Sequence, residues 1–181
     1  MNSQSFIKVF TTIFLFLLFH FPSQTETLKP TTELLSDVCQ NSDDKKFCIH
    51  SLKSEPRMAS VKNLKSLAEI ALARARKVST ETSSFFNSLQ LSNGDHAKKE
   101  AIKECAKYFQ ETVGMLNLGG LEGDTASLDV HYALDNDQYC ESALADAKVH
   151  AETISSAIEK WKNFYSVAYA AVVAVENSQL H

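Results

Sequence analysis

Proline and glycine are scarce in this chain, three and five residues among 181, and no proline follows Pro56. That scarcity excludes collagen-like and linker-like readings and leaves long stretches in which a helix meets no breaker. A basic excess is also missing: the formal net charge is −4, so no general positive field draws nucleic-acid phosphates. Cys-x-x-Cys, His-Glu-x-x-His, Gly-x-Ser-x-Gly and phosphate-loop spacings are all absent, and so is an Asn-x-Ser/Thr sequon. What is present, 44% hydrophobic and 22% charged residues, is the composition of a globular domain rich in helix-compatible sequence.

Residues 1–25 differ from the rest. Lys8 is their only charge, and the apolar run over 9–21 is interrupted only by Thr11, Thr12 and His20. A bilayer span needs about 20 residues, so this segment reads as a secretory signal peptide, 1–25, with cleavage expected after Thr25 and a retained anchor as the alternative. Its removal takes Lys8 from the 18 basic residues against 22 acidic ones, leaving a net charge of −5. About 155 residues remain, enough for one domain with a real core.

Secretion decides how Cys39, Cys48, Cys105 and Cys140 are read: an even number of cysteines in an oxidising compartment implies two disulfides. Three connectivities are open on spacing alone, and symmetry about turns chooses among them. The midpoint of Cys39 and Cys48 falls between Asp43 and Asp44, in a polar run; that of Cys105 and Cys140 falls at 122–123, within Gly119-Gly120-Leu121-Glu122-Gly123. Residues equidistant from the turn of a helical hairpin lie side by side, which favours 39 with 48 and 105 with 140.

Hydrophobic periodicity predicts four long helices after a short hairpin. Leu64, Ala68, Ala71, Ala75, Val78, Thr82, Phe85 and Leu89 step by four and three up to a turn at Ser92-Asn93-Gly94-Asp95. Ile102, Cys105, Phe109, Thr112 and Leu116 continue the step to the glycine cluster. A third helix starts at Asp124 or Thr125, both usable N-caps, and puts Ala126, Val130, Ala133 and Cys140 on one face, with Asp137 the imperfect member. Ile154, Ile158, Trp161, Tyr165, Ala168, Val172 and Val175 mark the fourth, whose uncharged stretch 167–175 reads as a buried bundle helix and not a membrane segment. The expected fold is all-α: an up-down-up-down four-helix bundle, 59–181, behind an N-terminal helical hairpin, 26–58, with 26–181 forming one domain.

Candidate chemistry is thin on this scaffold. The glycine cluster follows no predicted strand and reads as a helix–helix turn. A zinc pair of Cys48 and His50 would compete with a disulfide for the same sulfur. Asp135 and Asp137 resemble the start of a calcium loop, but Tyr139 stands at the third ligand position and no glycine follows, so both acids are read as solvated. No catalytic residue, metal or cofactor is expected. On the third helix, Asp129, Tyr132, Asn136 and Tyr139 step by three, four and three and are expected to share the outer face. Tyrosines between short polar residues have the composition of a recognition stripe; the competing reading is that their rings lie flat and shield the neighbouring helix. A carrier of apolar ligands would need a bundle cavity, which Phe109, Trp161 and Tyr165 are expected to fill.

Cys39 and Cys48 with eight residues between them, Ser51-Leu52-Lys53-Ser54, Pro56-Arg57, the Ala-rich helix, Cys105, and the stretch from Asp129 to Cys140 before a last apolar helix together resemble the plant invertase and pectin methylesterase inhibitor family. The resemblance implies a disulfide-stapled four-helix bundle with an N-terminal hairpin, bonded first to second and third to fourth cysteine. It implies a secreted non-enzyme that covers the active-site cleft of a target enzyme, in the apoplast or cell wall, with the vacuole as the alternative compartment. Invertase inhibitors of the family carry Pro-Lys-Phe where this chain has Gly123-Asp124-Thr125. Pectin methylesterase inhibitors carry a Ser-Ala-Ala-Leu type stretch and a Thr before the last cysteine; here the residues are His131-Tyr132-Ala133-Leu134 and Tyr139-Cys140. The target is therefore expected to be pectin methylesterase rather than invertase, and Asp124 and Thr125 join the four helix residues as candidate contacts. The alternative is a non-inhibitory protein-binding module on the same scaffold. Neither nucleic acid nor, after leader removal, membrane is an expected partner, and a monomer is the expected state.

Overall fold

The computed structural model describes residues 29–89, 95–117, 121 and 125–180. The expected leader 1–25, the turn residues Ser92, Asn93, Gly94, Gly119, Gly120, Glu122 and Gly123, and Asp124 lie outside these. Among the described residues there are six α-helices and no strand: α1 Thr31–Cys39, α2 Lys45–Lys53, α3 Leu64–Ser88, α4 His96–Met115, α5 Ala126–Asp146 and α6 Glu152–Gln179, with a 3₁₀ turn over Pro56–Ser60.

Local chemistry sets several of the starts. Asp44 caps α2 by accepting the Phe47 N–H at 2.9 Å. Asn63 and Ser66 form a reciprocal capping box at the head of α3, with the Ser66 N–H donating to Asn63 Oδ1 at 2.9 Å and the Asn63 N–H to Ser66 Oγ at 3.2 Å. At the end of α5, Lys148 adopts a left-handed φ of 54°, and the Val149 N–H reaches back to the Leu144 carbonyl at 2.8 Å. That is the helix stop usually given to glycine. Lys148→Gly is therefore expected to raise the unfolding free energy by roughly 0.5–1 kcal/mol in denaturant titrations.

The four long helices pack in a ring, α3 on α4, α4 on α5, α5 on α6 and α6 back on α3. Neighbours run antiparallel. Between α3 and α6, Leu64 shares a groove with Ala174 while Ser79 meets Trp161 further along; between α5 and α6, Ser127 meets Glu176 and Glu141 meets Lys162. The first hairpin rests chiefly on α6. There the Asp43 N–H donates to Ser166 Oγ at 3.0 Å, and the Phe47 ring meets Phe164 edge-on at 5.0 Å. The Arg74 guanidinium lies 4.8 Å over Phe164 and 3.6 Å from Glu55.

The α3 face that meets α6 carries small residues. Ala71 and Ala75 are buried, as is Trp161, whose Nε1–H donates to Ser79 Oγ at 2.8 Å. Trp161 packs on Phe109 at 5.4 Å and on Tyr165 at 5.2 Å, and Phe109 stacks on Phe86 at 5.6 Å. The expected core seams of α4 and α6 are buried throughout. On α3 the expected seam is buried from Ala68 to Thr82, while Leu64, Phe85 and Leu89 at its ends are only partly buried; Phe86 is buried in place of Phe85 because it is the ring that stacks on Phe109. No helix among the described residues is long and apolar enough to cross a membrane.

Both disulfides form as symmetry predicts, Cys39–Cys48 with Cα atoms 5.6 Å apart and Cys105–Cys140 at 4.6 Å. All four sulfurs are thereby consumed, so Cys48 has no free thiolate to share a metal with His50.

Candidate functional site

Three large apolar or aromatic side chains stand exposed on α5: Leu128 (48%), Tyr132 (48%) and Tyr139 (56%). At about 100° per residue, positions 128, 132 and 139 fall within an arc of roughly 40°. Asp129 and Thr125 are also exposed at the same end of the helix. The core-facing side of α5 carries mostly small or polar groups, Ala126, Val130, Ala133 and Cys140 together with Asn136 and Asp137, and adds the large apolar Leu144 near its end. The helix thus presents Leu128 and both tyrosines outward, whereas an ordinary amphipathic helix turns its large apolar side chains to the core.

Two expectations need correction. Asn136 is not on the outer face; it is 6% exposed, donates from Nδ2 to the Tyr108 carbonyl at 3.3 Å and lies 3.6 Å from Met115 Sδ. It precedes Cys140 by one turn, so the bond that draws Cys140 onto α4 carries Asn136 with it. Asp137 is not solvated; it is 1% exposed and sits between α5 and α6. Leu128, which the step from Asp129 passes over, takes the place in the outer stripe left by Asn136. Its signal in the sequence is its spacing of four from Tyr132.

The two tyrosines differ. Tyr139 leans toward Tyr108 on α4, with ring centroids 5.8 Å apart and planes tilted by 46°, and so shields its neighbour while keeping more than half its surface in solvent. Tyr132 is placed beside His131, whose own ring is 6.3 Å from Tyr169 on α6.

Buried charge lies on the opposite side of α5. Neither oxygen of Asp137 has a well-directed hydrogen bond, and its counter-charge is Lys162 Nζ, 3.2 Å from Oδ2. Lys162 also meets Glu141 Oε2 at 2.7 Å. Burial pushes the Asp137 carboxyl up to about 6; Lys162 opposes that shift and Glu141 adds to it. Asp135 is half-buried. Among the described residues no three His, Cys, Asp or Glu side chains converge on a metal position. A concavity of about 710 Å³ is an open groove at the α5–α6 turn, walled by Leu144, Val149, Ile154 and Ile158 with Glu152 and Glu159. It is a surface feature, and the aromatic cluster fills the bundle centre where a carried ligand would have to sit.

A family model described as plant invertase/pectin methylesterase inhibitor matches residues 33–170. A pectinesterase inhibitor of Actinidia deliciosa is 28% identical over 142 residues, covering 75% of this chain and 76% of that protein. The crystal structure of mutant form A of a pectin methylesterase inhibitor from Arabidopsis has a TM-score of 0.62 to this chain, with 20% identity over 77% of this chain and 95% of the other. At that identity the likeness is one of fold, and it agrees with the all-helical, two-disulfide architecture described above.

Proposed function

Because the chain belongs to the plant invertase/pectin methylesterase inhibitor family, we propose that it inhibits a plant pectin methylesterase, with invertase as the second candidate, by non-covalent occlusion of the enzyme's active-site cleft. The observation that carries the reading is the exposed stripe of Leu128, Tyr132 and Tyr139 on a rigid, disulfide-anchored helix. Tyrosine supplies a large contact area at small entropic cost, and a scaffold already ordered loses little on binding. The preference for pectin methylesterase rests on the missing Pro-Lys-Phe and on the relative from Actinidia deliciosa, itself a pectinesterase inhibitor. In this reading residues 1–25 are a leader, residues 26–181 are one monomeric inhibitor domain, and the place of action is the cell wall, with the vacuole as the alternative.

The test is a parallel titration of the oxidised protein into a pectin methylesterase and an acid invertase at mildly acidic pH. Saturable loss of the first activity at near-stoichiometric protein is the expected result. Tyr132→Ala is expected to weaken inhibition by roughly 1–3 kcal/mol, about five- to 150-fold, with little change in melting temperature. An unchanged inhibition constant would remove the stripe from the interface. A second reading, a binding module without inhibitory activity, is favoured by the replaced family residues at 123–125 and 131–134; it becomes the function if disulfide-intact protein leaves both enzymes untouched.

A further inference from the structure

Among the described residues, the head of α5 has no side-chain cap of its own. Thr125 occupies the N-cap position with ψ near 1°, outside the extended region a capping residue ordinarily adopts, and its side chain makes no capping hydrogen bond. The first amides of a helix need acceptors all the same. One comes from another helix: the Ser127 N–H donates to Glu176 Oε1, on α6, at 2.7 Å. This is a charge-assisted bond that also sets a negative group against the positive end of the α5 dipole. One turn further along α6, Gln179 Nε2 donates to the Leu121 carbonyl at 3.4 Å, and the Leu121 side chain is buried. The last turns of α6 therefore hold the entry to α5 at two points, 49 and 58 residues away in sequence.

We propose that Glu176 is a positioning residue for target binding: it does not touch the target, but it fixes the first turn of α5 and with it the placement of Thr125, Leu128 and Asp129. The inference rests on the inhibitory reading above and deepens it, since it names what orients the N-terminal end of the contact stripe. Carboxylate and amide oxygens both accept a hydrogen bond, so the acceptor and the charge can be separated by substitution. Packing can be separated as well, because Glu176→Gln keeps the shape and Glu176→Ala does not.

The experiment measures three quantities on wild type, Glu176→Ala and Glu176→Gln: the inhibition constant against pectin methylesterase, the exchange rate of the Ser127 amide, and the melting temperature. The Ala variant is expected to exchange Ser127 faster and to inhibit about tenfold more weakly, in line with the loss of one helix cap. The Gln variant is expected to recover most of both, while the Ala variant melts only a few degrees lower, as the loss of one cap implies. Wild-type inhibition by the Ala variant, despite fast exchange at Ser127, would overturn the positioning role. So would unchanged exchange at Ser127, or a loss of affinity that follows the melting temperature and that Gln does not rescue. A wild-type protein that inhibits neither enzyme overturns the inhibitory reading instead, and with it any role of Glu176 toward such a target.

Discussion

Replacing Cys105 and Cys140 together by Ala is expected to lower the unfolding free energy by roughly 3–4 kcal/mol, the loop-entropy value for a closed loop of this length. The bond joins α4 to α5 across a sequence separation of 35, and both cysteines are fully buried. Without it the unfolded chain regains the freedom of that whole loop. The folded state meanwhile relies on Asn136 and the Tyr108–Tyr139 contact to keep the two helices in register. In a domain of about 150 residues the loss corresponds to roughly 10 °C in melting temperature. The matching double substitution at Cys39 and Cys48 opens a loop closed over a separation of only 9 and is expected to cost about 1 kcal/mol less. Equal or reversed costs in denaturant titrations of the two double variants would show that loop entropy is not what these bonds chiefly contribute.

The second large effect belongs to Asp137. Folding raises its pKa from the ordinary 3.8 to about 6, chiefly by burial. The folded state therefore holds the proton more tightly than the unfolded one, and ionisation works against the fold. Stability from this group is fully present below pH about 4, falls as the pH rises from 4 to 6, and is lost above that. Two pKa units correspond to at most about 3 kcal/mol. Lys162 contributes nothing in this window: burial would lower its pKa, but Glu141 and Asp137 outweigh burial and raise it above 10.5. Asp137→Asn is thus expected to stabilise the protein at pH 7 by about 1–2 kcal/mol, since the buried amide lacks full hydrogen bonding. At pH 4 the two proteins should differ little. A wild-type stability curve that is flat between pH 4 and 6.5, or a variant that keeps the wild-type slope there, would place the pH dependence elsewhere. At mildly acidic pH this carboxyl is largely protonated, which is the condition under which the α5–α6 interface is most stable.

Much of this architecture was readable from pattern. Stepwise apolar spacing located the four long helices because a helix buried along one side must repeat its core residues every three to four positions. Two cysteine pairs, each symmetric about a polar or glycine-rich turn, pointed to their own partners. Tyr132 and Tyr139 were assigned correctly to the outer face of the third long helix. Folding settled what pattern left ambiguous. Position 136 lies beyond the edge of the core-facing arc, and whether such a residue is buried depends on where the neighbouring helix sits; position 137 lies inside that arc, where pattern left open only whether a carboxylate would stay in the core or turn to solvent. The Cys105–Cys140 bond draws α4 over Asn136, and the approach of α6 encloses Asp137 with Lys162. The cap supplied by Glu176 has no local signature, because acceptor and donor are 49 residues apart and meet only when α6 closes the ring against α5. Periodicity records which side of a helix turns inward; the partner that meets each residue there is a property of the packed bundle.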